Sequence, residues 1–249
     1  MNTPEEMARL LEDGYLHVPG LLDADHVAKL TESFDTVYEH HDDGRRMNQH
    51  KLLRYAPFRE LIEHPPLLDR HRAVFGSQAQ LLQYDLLRQE AGSTYPVRAW
   101  HRDFMFPGER PLSINTIIYL QDMPEEMGQT YVVPGSHRGW DELIPRGDPR
   151  RAEPMEGEVG VEAKAGDAVF FISSIWHSGS RMTAESGVRR SIYPYFGYWW
   201  MKRYDGDENL PWQAYAGASD QMLELLGLKM PGGDLHIYDV DAKPEPKNL

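Results

Sequence analysis

The sequence contains no cysteine. Disulfide bonds, thiolate catalysis and cysteine-ligated zinc or iron–sulfur sites are therefore excluded, and any metal site must use His, Asp or Glu. The chain also lacks an uninterrupted apolar run of the roughly 18–20 residues that a transmembrane helix needs, so we expect no membrane association. Its first residues lack the basic and apolar regions of a secretory signal, which predicts a cytoplasmic protein.

Positive charge is scarce as well, because 26 Lys and Arg stand against 39 Asp and Glu and give a net charge of −13. An acidic chain repels phosphate backbones, so we expect no nucleic-acid partner. With 249 residues, of which 41% are hydrophobic, the chain can bury a sizeable core as a single domain over residues 1–249. Nothing in the sequence indicates an oligomeric state.

Hydrophobic periodicity divides this domain into a helical part (1–76), a strand-rich part (77–200) and a C-terminal extension (201–249). The predicted helices are Pro4–Asp13, a second beginning near Asp23, Pro66–Phe75 and Ser219–Leu226. The predicted strands are Gln80–Arg88, Val97–His101, Leu112–Gln121, Thr130–Val133, Glu158–Ala163, Ala168–Phe171 and Arg189–Tyr198. Short strands separated by Gly and Pro predict a mainly β fold, a sandwich or barrel, with helices at its N-terminal end.

Three histidine and carboxylate positions stand out. His101 and Asp103 lie two residues apart on a predicted strand, so their side chains share a face and can meet one cation. Such a triplet also arises by chance in many proteins. His177 follows a predicted buried strand, and the three residues together form the two-histidine, one-carboxylate set that holds non-haem Fe(II) and leaves positions open for other ligands.

Arg189 and Ser191 form the next pair, again two residues apart and on one face of a strand. Arginine binds a carboxylate through two parallel hydrogen bonds, and serine adds a hydroxyl donor. A surface arginine pair on an edge strand is the alternative interpretation. Arg190 is a rival for the same role.

These motifs, in this order, resemble the phytanoyl-CoA dioxygenase family from about residue 13 to about residue 198. The resemblance also includes the opening Asp13–Gly20 (DGYLHVPG) and the segment Gly128–His137 (GQTYVVPGSH). It implies a double-stranded β-helix, a jelly roll packed against N-terminal helices, in an Fe(II)- and 2-oxoglutarate-dependent dioxygenase that uses O₂. His137 in the second segment is expected to be structural.

The same resemblance implies residue roles. Iron would be held by His101, Asp103 and His177, and the distal carboxylate of 2-oxoglutarate by Arg189 with Ser191. Further candidates for binding 2-oxoglutarate are Arg88, Gln83 and Thr130. The spacing from His177 to Arg189 is one residue longer than we expect for the family, which leaves Arg190 in competition. Halogenating relatives have Gly or Ala in place of the carboxylate ligand, so Asp103 predicts that the enzyme does not halogenate.

The reaction implied is hydroxylation of an unactivated C–H bond of a small-molecule metabolite, with release of succinate and CO₂. Desaturation, epoxidation or ring closure by the same class of enzyme is the alternative. More remote are a cupin-like metal enzyme and a silent binding relative, neither of which uses 2-oxoglutarate. Aromatic and methionine residues beside the motifs would form an apolar substrate wall or simply pack in the core. They are Phe104, Met105, Phe106, Trp199 and Trp200.

Overall fold

The computed structural model describes residues 4–41, 44–104, 110–139, 144–203 and 210–231. Six α-helices lie within these ranges. They are α1 (Pro4–Asp13), α2 (Ala24–His40), α3 (Gln49–Leu52), α4 (Ala56–Ile62), α5 (Pro65–Phe75) and α6 (Asp220–Leu225). In this part of the chain no helix is both long enough and apolar enough to cross a membrane.

Local sequence signals account for helices α2 and α6. Asp23 caps α2 by accepting the backbone N–H of His26 at 2.9 Å, and Leu30, Phe34 and Val37 form the buried stripe of this helix. Ser219 caps α6 in the same way. Helices α3 and α4 are missing from the sequence prediction, because they have only four and seven residues and lack the side-chain cap that marks the similarly short α6.

Nine strands within the described ranges form two antiparallel sheets. The strands are β1 (Tyr15–Val18), β2 (Arg46–Asn48), β3 (Ala79–Glu90), β4 (Ser113–Tyr119), β5 (Thr130–Val132), β6 (Val159–Val161), β7 (Ala168–Ile172), β8 (His177–Gly179) and β9 (Val188–Tyr198). The larger sheet has the order β1-β7-β4-β9-β3-β2, and the smaller has the order β6-β5-β8. The predicted β-rich fold with N-terminal helices is therefore confirmed.

Two details of the strand prediction differ from the structure. The predicted strand Val97–His101 contributes only isolated bridges, Arg98 to Ser180 and His101 to His177. Strands β2 and β8 were not predicted, because each has only three residues and neither lies in a longer apolar or alternating run of the kind that indicated the equally short β5 and β6.

The larger sheet has two different faces. One face packs against the helices in the main core, to which β9 contributes Ile192 and Phe196. The other face meets the smaller sheet, where Ile117 of β4 and Val132 of β5 belong to a second buried cluster. Because side chains alternate along each strand, every long strand supplies residues to both layers, as in a jelly roll.

The segments Asp13–Gly20 and Gly128–His137, which carry the family resemblance, pack on each other. Gly14 has φ +80°, and a Cβ atom there would lie 2.3 Å from Nδ1 of His137. Nε2 of His137 lies 3.1 Å from the carbonyl oxygen of Leu11. These contacts fit a structural role for His137, which joins the first helix to the sheets.

A second histidine lies entirely inside the main core. His71 shares a hydrogen bond of 3.0 Å with the hydroxyl of Thr116, and its ring stacks on Phe196 at 4.1 Å between centroids. Burial lowers the pKa of His71 from 6.5 to about 3. The ring therefore stays neutral in the folded protein at pH values where it would be protonated in the unfolded chain.

This pKa difference makes stability depend on pH. As pH falls below 6.5, the unfolded chain takes up a proton that folded His71 refuses until about pH 3, so stability falls over that window. Between about pH 7.5 and about pH 5 this one group should remove roughly 2 kcal/mol. Urea unfolding at both pH values should therefore show a weaker pH dependence for His71→Gln than for wild type. The exposed His40→Gln variant should match wild type, and equal pH dependence in all three proteins would contradict the assignment.

Candidate active site

The site is organised by a direct backbone pairing between two histidines. His101 and His177 exchange both of their backbone hydrogen bonds, each at 3.0 Å, where the segment before Asp103 meets β8. Residues paired in this way have side chains on the same face of the sheet. The two imidazole rings accordingly lie side by side, with centroids 4.2 Å apart.

Asp103 completes a three-ligand group. Its Oδ1 lies 3.6 Å from Nε2 of His101 and 3.6 Å from Nε2 of His177. One ligand atom from each of the three residues falls within 4.8 Å of the others, and this is the one such group found among the described residues. The structure thus brings together the three residues that the sequence singled out as metal ligands.

The protonation of both rings suits a metal. Nδ1 of His101 lies 2.8 Å from the carbonyl of Ala99, and Nδ1 of His177 lies 3.1 Å from the carbonyl of Ile175. A carbonyl can only accept, so each Nδ1 donates, and it is Nε2 that offers its lone pair when the ring binds a metal. Burial also lowers the pKa of His177 to about 4. Two imidazole lone pairs and one carboxylate are the donor set that Fe(II) takes in oxygenases, and the site fits that ion.

Asn115 fixes the orientation of the carboxylate. Its Nδ2 donates to Oδ2 of Asp103 at 3.0 Å, from strand β4. With Oδ2 engaged, Oδ1 is the oxygen that faces the two histidines. Partners of this kind hold a ligand in its binding geometry before the metal arrives. Asn115 is not predictable from the sequence, because a lone Asn within a strand carries no motif.

A cavity of about 220 Å³ opens beside the three ligands, between the two sheets. Arg189 lines it from β9 and is 3% exposed. Its Nε donates to Oγ of Ser191 at 3.4 Å, and its Nη1 donates to the carbonyl of Gly128. The predicted pair on one face of a strand is therefore present, and Arg189 is its member that faces the cavity.

Arg190 lies on the other face of β9. Its Nε and Nη2 donate to the two carboxylate oxygens of Asp35 on α2, at 2.8 and 2.9 Å. That ion pair ties the helical layer to the larger sheet. The alternation of the strand thus separates the two rival arginines, and the structure does not bring Arg190 to the cavity.

Of the other three candidates for binding 2-oxoglutarate, one lines the cavity and two do not. Thr130 lines the cavity and accepts a hydrogen bond of 2.7 Å from the hydroxyl of Tyr119. Arg88 does not line the cavity; it pairs with Glu90 at 2.9 Å. Gln83 does not line it either, since its amide donates to Asp85 instead.

Gln89 was not predicted from the sequence, but it lies in the cavity wall, where Arg88 or Gln83 was expected. It lines the cavity, is 3% exposed and lies directly opposite Arg189 in the pairing of β3 with β9. Its Nε2 is buried and has no hydrogen-bond partner among the described residues. Strand alternation could have found it, because the residue opposite an inward-facing arginine must face inward too.

Of the five residues predicted to form an apolar substrate wall, the three that the structure describes do not line the cavity. Trp199 and Trp200 follow β9 at the end away from Arg189, roughly 30 Å along the strand, and neither lines the cavity. Trp200 is 58% exposed and stacks on Tyr198. Phe104 does not line the cavity, and its backbone N–H donates to Ser173. Met105 and Phe106 lie outside the described residues. The apolar lining comes instead from Leu87, Ile117 and Phe171.

Comparison with known proteins identifies the family of the chain. The family model described as phytanoyl-CoA dioxygenase (PhyH) matches residues 10–191. A protein named dioxygenase trt7, from Aspergillus terreus, is 27% identical over 216 residues, which cover 76% of this chain and 72% of the relative. The Fe(II)/2-oxoglutarate-dependent dioxygenase nvfF from Aspergillus novofumigatus is 29% identical over 140 residues, covering 53% of this chain and 44% of that one.

Solved structures share the fold. The non-haem α-ketoglutarate-dependent epimerase SnoN of nogalamycin biosynthesis superposes with a TM-score of 0.63 at 26% identity, covering 78% of this chain and 82% of SnoN. HygX from Streptomyces hygroscopicus, solved with nickel and 2-oxoglutarate, gives a TM-score of 0.69 at 18% identity. The superposition covers 83% of this chain and 92% of HygX. At that identity HygX supports the fold alone. The double-stranded β-helix expected from the resemblance is confirmed.

Fold, site and relatives together define an Fe(II)- and 2-oxoglutarate-dependent dioxygenase. The chain belongs to the phytanoyl-CoA dioxygenase family.

The role of Asn115 can be measured without turnover. Asn115→Leu removes the donor to Asp103, so the carboxylate is free to turn away, and metal affinity should fall about 10- to 100-fold. Anaerobic titration of the 2-oxoglutarate-free protein with Fe(II) or Co(II), against a chromogenic chelator, measures this. Gln89→Leu is the matched control, because it also removes an amide from the cavity wall. If both variants bind metal like wild type, Asn115 does not position the ligand.

Proposed function

We propose that this dioxygenase hydroxylates an unactivated C–H bond of a small-molecule metabolite. In the overall reaction substrate, 2-oxoglutarate and O₂ give hydroxylated product, succinate and CO₂, with one oxygen atom of O₂ in the product and the other in succinate. Fe(II), when bound, supplies the activation of O₂ that couples these two oxidations. The protein supplies binding and orientation.

In this proposal the metal ligands are His101, Asp103 and His177. Their three side chains come from two short segments held by reciprocal backbone hydrogen bonds, so the ligand atoms are in place before the ion binds. The carboxylate ligand also occupies the position that a halide would need. We therefore propose oxygen insertion or a related oxidation, and no chlorination.

One observation supports the cosubstrate site above all others. Arg189 is buried in the cavity wall beside the metal ligands, and within the described ranges no carboxylate lies within ion-pair distance of it. A buried guanidinium without an anion is costly, so a ligand carboxylate is its natural partner. We propose that Arg189 binds the distal carboxylate of 2-oxoglutarate, that Ser191 orients the guanidinium, and that Gln89 and Thr130 offer further polar contacts.

The proposal also covers the domain organisation, the cellular location and the type of substrate. We propose a single dioxygenase domain over residues 1–249, with a helical part (1–76), a jelly-roll core (77–200) and a C-terminal extension (201–249), acting in the cytoplasm. Related enzymes are described with small molecules: SnoN was solved with nogalamycin RO, and HygX with hygromycin B. A small-molecule substrate for this chain follows by analogy and from the size of the cavity.

Arg189 and Arg190 give a matched pair of variants. Arg189→Ala removes a two-point charge-assisted contact, which should cost ~2–4 kcal/mol, or about 30- to 1000-fold in 2-oxoglutarate affinity. Arg190→Ala should change that affinity little, since its partner is Asp35. Calorimetric titration of Ni(II)-loaded protein with 2-oxoglutarate gives both values. The reverse ranking would assign the anchor to Arg190. Wild-type protein that binds no 2-oxoglutarate would favour a cupin-like metal enzyme or a silent relative.

The outcome of the reaction has its own test. A substrate identified from a metabolite panel is turned over under ¹⁸O₂ with chloride present, and the mass of the product is measured by mass spectrometry. We expect one ¹⁸O atom and no chlorine. A product two hydrogen atoms lighter and without label would show desaturation or ring closure instead, and a chlorinated product would refute the argument from Asp103.

A further inference from the structure

Positive charge is concentrated in the cavity of an acidic protein. Three arginines line it, namely Arg45, Arg46 and Arg189, while the whole chain carries a net charge of −13. Asp103 is the one carboxylate among the described lining residues, and it belongs to the metal ligand group. A cleft of one sign within a chain of the other attracts ligands of opposite charge to the cleft.

Two of the three arginines have partners or a role already. Arg46 donates from Nε at 2.8 Å and from Nη2 to the same oxygen of Asp85, whose side chain is 3% exposed. The buried carboxylate therefore neutralises Arg46. Arg189 is the proposed anchor for the cosubstrate. The charge of Arg45 remains to be explained.

Arg45 is exposed, and its backbone is held at the start of β2. Its carbonyl accepts from the hydroxyl of Tyr38 at 2.7 Å and from the N–H of Arg88 at 2.9 Å. Its guanidinium lies 5.3 Å from the centre of the Tyr95 ring, which also lines the cavity. In the described ranges, no carboxylate lies within ion-pair distance of Arg45.

Tyr95 orients this guanidinium without neutralising it. Burial is the main cause that raises the pKa of Tyr95, so the phenol stays protonated at neutral pH. Stacking on an aromatic face leaves the N–H donors at the edge of the guanidinium free to bind a planar anion. The same cavity has an apolar share of its lining, from Leu87, Ile117 and Phe171, beside the metal ligands and Arg45.

We propose that Arg45, stacked on Tyr95, binds a carboxylate of the primary substrate, which is therefore an apolar carboxylic acid. This inference rests on the proposed function and adds the substrate class. The acid group stays at the exposed end of the cavity, the apolar part lies along Leu87 and Ile117, and the carbon to be oxidised reaches the metal ligands. One charged anchor at the far end fixes which C–H bond is presented.

The test uses 3-phenylpropanoate and its neutral amide as probes. Each is titrated calorimetrically into Ni(II)-loaded protein, with and without saturating 2-oxoglutarate, so no turnover is required. Wild type should bind the acid about 10- to 100-fold more tightly than the amide, because only the acid makes a charge-assisted pair. In Arg45→Gln that ratio should fall to near one, while the affinity for 2-oxoglutarate stays the same.

Arg88→Gln is the matched control, because Arg88 is a neighbouring arginine that does not line the cavity, and it should keep the wild-type ratio. Equal binding of acid and amide to wild type would overturn the proposal, as would an unchanged ratio in Arg45→Gln. Competition between the acid and 2-oxoglutarate, or weaker 2-oxoglutarate binding by Arg45→Gln, would assign Arg45 to the cosubstrate instead. Failure of the proposed function gives a different result, because wild-type protein would then not bind 2-oxoglutarate. The ratio of the affinities for the acid and the amide can still be measured on Ni(II)-loaded protein without 2-oxoglutarate.

Discussion

The reciprocal hydrogen bonds between His101 and His177 are the constraint on which the site depends. They bring two segments that are distant in sequence into direct register, so both imidazoles face one point. A shift of one residue in this pairing would turn one histidine to the opposite face of the sheet. Asp103 then needs only its position two residues beyond His101 to complete the ligand group. The metal site is thus a product of β-pairing as much as of residue type.

The same alternation distributes the charged residues of the long strands. On β9, Arg189 faces the cavity and Arg190 faces α2, where Asp35 holds it. On β3, Gln89 faces the cavity opposite Arg189, whereas Arg88 faces the helical layer, with its guanidinium 5.6 Å from the centre of the Tyr38 ring on α2. One strand can in this way carry a ligand-binding residue and a structural ion pair on consecutive positions. The cavity receives polar groups from one side of each strand, while the other side secures the helices.

Electrostatics and burial give the two ends of the cavity different chemistry. At the end with the histidines, burial lowers the pKa of His177, and backbone carbonyls accept from Nδ1 of both rings, so Nε2 is the atom of each ring left for a metal. The wall near Arg189 is buried and cationic, which suits a dicarboxylate that must be held in one orientation. The outer end has the exposed Arg45 over the ring of Tyr95. In the function proposed above, these differences assign the metal ion, the cosubstrate and part of the substrate to separate places in one small cavity.

The sequence by itself determined the residue types and the order of the motifs. The absence of cysteine left His and carboxylate as the ligands, and the spacings of His101, Asp103, Arg189 and Ser191 placed each pair on one strand face. Long helices and strands were predictable too, because their hydrophobic periods repeat. Tertiary structure decided what no period encodes: the pairing of three-residue β8, which of Arg189 and Arg190 faces the cavity, and the inward position of Gln89 in place of Arg88 and Gln83. It also moved the apolar lining from the tryptophans to Leu87, Ile117 and Phe171, because the wall of a cavity is formed by the strands that face it, and nearness in sequence does not decide which these are.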